Sequence, residues 1–245
     1  MTKKYQIYGI GAALVDTEVV VTDTFLSTHK IDKGLMTLVD EERQFELLGA
    51  LSSHSYHVKR SCGGSACNSI VAASCFGSKT FYSGKVADDD DGKFFVEDLQ
   101  ATGVDFHSSQ ASPGVTGKCL VMVTDDAERT MNTFLGANLD LTSSEVDEPT
   151  LINSDWLYLE GYLVTDDTRT DVAVKAMECA KANQVKTSLS LSDPFVVQVF
   201  EDNLRKVIGD GVDLLFCNSD EARSFTNTHS TEAAAEQLKK YAKTF

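Results

Sequence analysis

Apolar and polar positions alternate over residues 5–11 and run into Gly9 and Gly11, which predicts a strand ending at glycines. Residues 14–21 predict a second strand, interrupted by the charges Asp16 and Glu18, and residues 39–51 carry Phe45, Leu48 and Leu51 at helical spacing. A short strand over 56–60, with His57 and Arg60 solvated, precedes a run of small residues over 65–73 that predicts a helix opened by a glycine turn. Next come a strand at 79–83 and a helix at 91–101 with Phe94, Phe95 and Leu99 near one stripe. Residues 117–124 form the clearest half-buried strand of the first half, and 129–134 pair with it after the turn Asp125-Asp126.

The second half alternates regularly. Strands are expected at 156–159, 185–191 and 212–217, and helices at 168–182, 195–206, 220–225 and 233–241. The helix at 168–182 turns Val172, Ala173, Ala176, Met177 and Ala180 inward. Strands separated by helices imply a mainly parallel sheet covered on both faces, with ligands gathered beyond the C-terminal strand ends. Residues 1–245 therefore read as one α/β domain with a small sheet over the main one, built from lid segments at about 14–38, 55–61 and 105–134. The last helix feeds no further strand, so a C-terminal portion is expected to be missing.

Charge narrows the partners. Lys and Arg total 22 against 37 Asp and Glu, a formal charge of −15, and such a field repels nucleic acid and anionic membranes. No apolar run approaches the roughly 20 residues of a membrane span, and the polar start leads straight into a strand. A cytoplasmic protein is expected, without nucleic-acid or membrane partners. Cysteines 62, 67, 75, 119, 179 and 217 contain no C-x-x-C pair and read mostly as buried free thiols.

The most informative stretch is Gly63-Gly64-Ser65-Ala66-Cys67-Asn68. Two glycines before a helix allow a tight turn and bring a ligand close to the backbone. Asn68, on the first turn, can both accept from and donate to a polyol; the same pattern also serves a close strand-to-helix crossing. It is no P-loop, and Gly9-x-Gly11 is no dinucleotide fingerprint. Asp16 follows the apolar run Ala12-Ala13-Leu14-Val15. An unpaired carboxylate there would be costly, so it either reaches a cleft, where it can accept two sugar hydroxyls, or is tied to a neighbouring turn.

Glu160 and Asp193 both follow strands, at the ligand end of a parallel sheet, and Asp193 before Pro194 is better explained as a helix cap. Asn218-Ser219-Asp220-Glu221 offers oxygen ligands for hydrated magnesium beside phosphates, though capping accounts for the same residues. The run Asp88–Asp91 lacks calcium-loop spacing and suits a helix start. No histidine has a partner at metal or nucleophile spacing; His57 is nearest the glycine turn.

Together these segments resemble the ribokinase-like, or PfkB, family of carbohydrate and nucleoside kinases. The stretch from Gly63 through Ala72-Ala73 to Gly77 is similar to its N-terminal signature, and Gly84-Lys85-Val86-Ala87-Asp88-Asp89-Asp90-Asp91-Gly92 to the motif that follows. Asn218-Ser219-Asp220-Glu221 matches its N-x-x-E motif. The second half is closest to the adenosine kinases, through Leu191-Ser192-Asp193-Pro194-Phe195 and residues 212–218. The resemblance implies a three-layer α/β/α fold with a β-sheet lid, and transfer of the ATP γ-phosphoryl group to a hydroxyl, expected to be primary. Asp16, Gly63, Gly64, Asn68 and Glu160 would bind acceptor hydroxyls, Asn218 and Glu221 would organise ATP phosphates and water-bound Mg2+, and a homodimer through the lid is possible.

The sequence departs from the family in three places. Ala12 stands where adenosine kinases carry asparagine, and Glu160 resembles instead the ribokinase acid that touches the sugar, so sugar and nucleoside both stay open as acceptor, adenosine being the narrower alternative. The family's C-terminal G-A-G-D type motif, which holds the general base, does not occur, leaving the catalytic base unassigned. This implies an inactive chain on its own, or a non-catalytic sugar- or nucleoside-binding protein should the chain end naturally at residue 245.

Overall fold

In the computed structural model, residues 3–52, 58–107 and 113–245 are described. The alternating N-terminal segment forms β1 (Tyr5–Ile10), followed by β2 (Leu14–Val20), β3 (Met36–Leu38), β4 (Val58–Gly63), β5 (Thr80–Ser83), β6 (Asp105–His107), β7 (Gly117–Val123), β8 (Arg129–Phe134), β9 (Ser154–Glu160), β10 (Lys186–Ser190), β11 (Val212–Phe216) and β12 (Ala242–Thr244). Interleaved with them are α1 (Asp23–Thr28), α2 (Glu41–Ser52), α3 (Ser65–Cys75), α4 (Asp90–Ala101), α5 (Glu148–Ile152), α6 (Asp167–Ala182), α7 (Pro194–Val199), α8 (Glu201–Ile208), α9 (Ser219–Thr226) and α10 (Thr231–Leu238).

The main sheet runs β12-β11-β10-β9-β1-β5-β6, with every pairing parallel. Strands of such a sheet are covered on both faces. Tyr8 and Ile10 of β1 join a core with Leu157, Leu159, Leu189 and the inner side of α6, where Val172, Ala173, Ala176, Met177 and Ala180 are buried as the helical spacing predicts. Tyr82 of β5 packs the other way, with Ile70 of α3 and Phe95 and Leu99 of α4. The fold is therefore α/β, a parallel sheet covered on both faces with a second, smaller sheet, as the family resemblance implies.

That second sheet is mixed, in the order β3-β8-β7-β2-β4. Its period of two divides it cleanly. Val19, Leu120 and Met122 pack under Phe25 and Leu26 of α1 and Leu47 and Leu51 of α2. Leu14, Cys119 and Val121 point to the opposite face, which is left as the wall of a cavity. Asp105–His107, at the start of the segment assigned to the lid by pattern, pairs with β5 at the edge of the main sheet. His54, His57 and residues 55–57 of the second lid segment lie outside the described residues. Cys62, Cys67 and Cys119 are buried, whereas Cys75 is exposed. No helix among the described residues is long and apolar enough to cross a membrane.

The chain's ending differs from expectation. The last helix does feed a strand: β12 pairs in parallel with β11, Val212 opposite Ala242 and Leu214 opposite Thr244. Ala-Lys-Thr is too short to register as a periodic pattern, and the main-chain pairing that defines it comes from β11.

Two acids of the run at 88–91, Asp89 and Asp91, tie the small sheet to the main domain. Asp89 caps α4 through Gly92 N–H at 2.7 Å and also accepts from the Thr116 N–H at 2.9 Å. Asp91 forms ion pairs with Lys118 of β7 at 2.7 Å and with Arg60 of β4. Two lid strands are thereby held to one carboxylate of the main domain. Asp91→Ala is expected to lower unfolding free energy by about 1 kcal/mol, the scale of a partly exposed ion-pair cluster; a denaturation midpoint equal to that of the native chain would remove the tether from the argument.

Candidate active site

Beyond the C-terminal end of β1 the chain crosses directly into the lid as β2, which carries Asp16 opposite Ser61 of β4 and Cys119 of β7. β4 ends at Gly63, and there the backbone passes so close to Asp16 that a Cβ on Gly63 would sit 2.1 Å from the carboxyl carbon. Gly64 has φ +101°, where side-chain-bearing residues are strained, and its Cβ would meet the Ala12 carbonyl oxygen at 2.2 Å. α3 starts immediately after this turn. Its first turn brings Asn68 to the same cavity wall as Asp16, where its amide favours the ionised carboxylate.

Burial pushes the Asp16 carboxyl up to about 6, against the pull of Arg129 and the Asn68 amide, with Glu18 adding to the rise. Asp16 is thus an acceptor held near the threshold of ionisation. Glu160, at the end of β9, is almost wholly buried, with 1% exposure. Its Oε1 accepts from Ala12 N–H at 2.7 Å, and its Oε2 from Ser65 O–H at 2.5 Å and Ala66 N–H at 2.7 Å. Burial raises its pKa, and those donors together with the positive field of Arg169 oppose the rise.

Asp16, Gly64, Asn68 and Glu160 all line one cavity of about 800 Å³, between the lid and the ends of the central strands. Gly63 supports it from behind, against Asp16. The cavity is within the size range of small-molecule sites. Sequence reasoning missed its other walls. Met36 and Leu38 of β3, and Arg129, Met131 and Thr133 of β8, line the lid side. Tyr162, Phe195 and Phe200 line the side beyond β9 and β10, with the rings of Phe195 and Phe200 edge to face at 6.4 Å. Tyr162 follows a strand end and was open to the same rule that picked out Glu160; β3, only three residues long, carried no signal.

Asn218 and Glu221 are not among the residues lining this cavity. They open α9 as a reciprocal cap: Asn218 Oδ1 accepts from the Asp220 and Glu221 N–H groups at 2.9 Å, and Glu221 Oε2 accepts from Asn218 N–H at 3.2 Å. Burial raises the Glu221 pKa, the Asn218 N–H opposes this, and the charges of Asp193 and Asp220 add to it. Asp193 itself caps α7 through Phe195 N–H at 2.7 Å. No group of three or more His, Cys, Asp or Glu side chains among the described residues encloses a metal position. A carboxylate already engaged by amide donors keeps lone pairs for a metal-bound water, so Asn218–Glu221 suits outer-sphere contact with Mg2+ and not a closed protein cage.

A double-glycine turn, a carboxylate and an amide at the mouth of a parallel sheet, beneath a second, smaller sheet, mark a small-molecule-binding α/β protein, and the family comparison narrows the class. The pfkB family carbohydrate kinase model matches residues 28–245, and the chain belongs to that family. Within it, the chain is similar to adenosine kinase 2 of Arabidopsis thaliana, 27% identical over 92% of this chain and 66% of that protein. It is also similar to the guanosine-inosine kinase of Escherichia coli K12, 24% identical over 90% of this chain and 52% of that protein. Among solved structures, the adenosine kinase from Sinorhizobium meliloti has a TM-score of 0.89 at 33% identity, over 98% of this chain and 73% of that one. A probable sugar kinase from Rhizobium etli CFN 42 also has a TM-score of 0.89, at 30% identity over 98% of this chain and 73% of that one.

The chain thus spans just under two thirds of the length of the plant adenosine kinase. The expectation of a missing C-terminal catalytic segment is corrected at its premise, since the last helix does feed a strand, β12, and the two solved structures match 98% of this chain.

Proposed function

We propose that the protein is an ATP-dependent nucleoside kinase and that adenosine is its acceptor. The carrying observation is the mixed character of one cavity: the hydroxyl-binding pair Asp16 and Asn68 shares it with Tyr162, Phe195 and Phe200. A free sugar needs the polar part alone. A nucleoside uses both, its ribose hydroxyls hydrogen-bonded to Asp16, Asn68 and the Gly64 backbone and its base against the aromatic wall. Similarity to adenosine kinases in sequence and in structure supports the same choice.

In this reading the ribose is oriented with its primary hydroxyl toward the phosphoryl donor. The hydroxyl oxygen bonds to the γ-phosphorus as the bond to the β-phosphate oxygen breaks, releasing ADP and the hydroxyl proton. Mg2+ with ATP supplies charge neutralisation on the phosphates, and Asn218 and Glu221 would hold its waters. The chain's own part is orientation by Asp16 and Asn68 and exclusion of water by the lid.

The test is a panel of adenosine, guanosine, inosine, ribose and fructose with ATP and Mg2+, followed by ADP release. Adenosine as the preferred acceptor supports the proposal; turnover of a free sugar alone would sink it. The ionised carboxylate is the stronger hydroxyl acceptor, so apparent acceptor affinity is expected to fall about tenfold per pH unit below about pH 6. A flat profile between pH 5 and 8 would take Asp16 out of the acceptor contact.

A further inference from the structure

We infer that Glu160 is a positioning residue: its carboxylate sets the glycine turn and Asn68 in register with Asp16, and it does not itself take an acceptor hydroxyl. This rests on the reading of the cavity as an acceptor site. Three segments distant in sequence meet at this one side chain: Ala12 at the exit of β1, Ser65 and Ala66 at the start of α3, and the end of β9 from which Glu160 projects. Both oxygens accept from these donors, three bonds in all, and the side chain is almost completely buried, so an entering hydroxyl meets little of its surface. The segments it joins are those that create the hydroxyl-binding pair. Ala12 leads into the strand bearing Asp16, and Ser65 and Ala66 precede Asn68 on the first turn of α3, where its amide faces the same cavity as Asp16 and favours the ionised carboxylate.

The chemistry of this site is stricter than its shape. Ala12 and Ala66 present N–H groups to opposite oxygens of the carboxylate, so each oxygen must accept. A glutamine of the same size would have to aim its amide N–H₂ at one of those N–H donors in either orientation. Glu160→Gln is therefore expected to open the junction although it removes only the charge. Arg169 supplies the favourable positive field from the cavity wall, itself paired with Asp166 and donating to Thr165 Oγ1 at 2.8 Å.

A residue acting through Asp16 must show its effect only while Asp16 is present. We would measure adenosine affinity by calorimetric titration for the native chain, Glu160→Gln, Asp16→Ala and the double variant, with melting temperatures alongside. The expected result is at least a tenfold weaker affinity for Glu160→Gln in the native background, and a loss smaller than twofold in the Asp16→Ala background. Equal losses in both backgrounds would overturn the inference, since they would indicate direct contact or general structural damage. Ser65→Ala, which removes one exposed donor and keeps the fold, is expected to weaken binding about threefold in the same Asp16-dependent way. Should Glu160→Gln fail to fold while Ser65→Ala binds adenosine as the native chain does, the inference falls. If the native chain binds neither adenosine nor any other member of the acceptor panel, the acceptor reading itself fails and the inference goes with it.

Discussion

Asp16→Asn is expected to make the protein more stable at neutral pH and a poorer kinase. The carboxyl of Asp16 is pushed up to about 6, above its ordinary value near 3.9. The folded state therefore holds this proton more tightly than the unfolded chain. The stabilisation that follows is fully present below about pH 4 and is lost as pH rises through about 6. At pH 7 the folded protein carries a partly buried anion, and replacing it with a neutral amide should recover on the order of 1–2 kcal/mol. The same change removes a charged acceptor for a sugar hydroxyl, a bond of about 1.5–3 kcal/mol, or roughly 10- to 100-fold in kcat/KM for the acceptor. Denaturation at pH 5 and pH 7 together with acceptor kinetics checks both halves. A variant that loses stability at pH 7, or one whose ATP affinity falls as far as its acceptor use, would contradict the assignment.

Gly64→Ala is expected to have the larger structural effect. A backbone φ of +101° is strained for alanine, and the added Cβ would meet the Ala12 carbonyl oxygen at 2.2 Å, where a backbone atom cannot swing aside. The cost is about 3 kcal/mol or more, combining torsional strain with displacement of one segment. Relief by moving α3 would carry Asn68 away from Asp16, so adenosine binding should be lost even in molecules that remain folded. Circular dichroism melting with adenosine titration would test this, and native-like affinity in Gly64→Ala would show that the turn tolerates a side chain and is not a close backbone approach.

Much of this was legible in residue order. The double glycine before a small-residue helix announced a close approach, and Asp16 after four apolar residues announced an acid that had to be compensated. The alternation of strands and helices after residue 154 specified the parallel half of the sheet. Other features were not legible because their signals are non-local. β3 and β12 are three residues each and exist by pairing with β8 and β11. Glu160 read equally well as a sugar ligand, since nothing nearby in sequence reveals donors 148, 95 and 94 residues away.

By itself, the sequence determined the α/β class, the kinase-family resemblance and which polar residues stand at strand ends and beside the glycine turn, because strand and helix periodicities and glycine torsions are local properties of the chain. Only the tertiary structure decided how the two carboxylates are surrounded. Both line the cavity, but Asp16 keeps more exposed surface, while Glu160 is almost wholly buried with both oxygens accepting from backbone and hydroxyl donors. That division depends on burial and on hydrogen-bond partners from other segments, and neither quantity exists until the chain has folded.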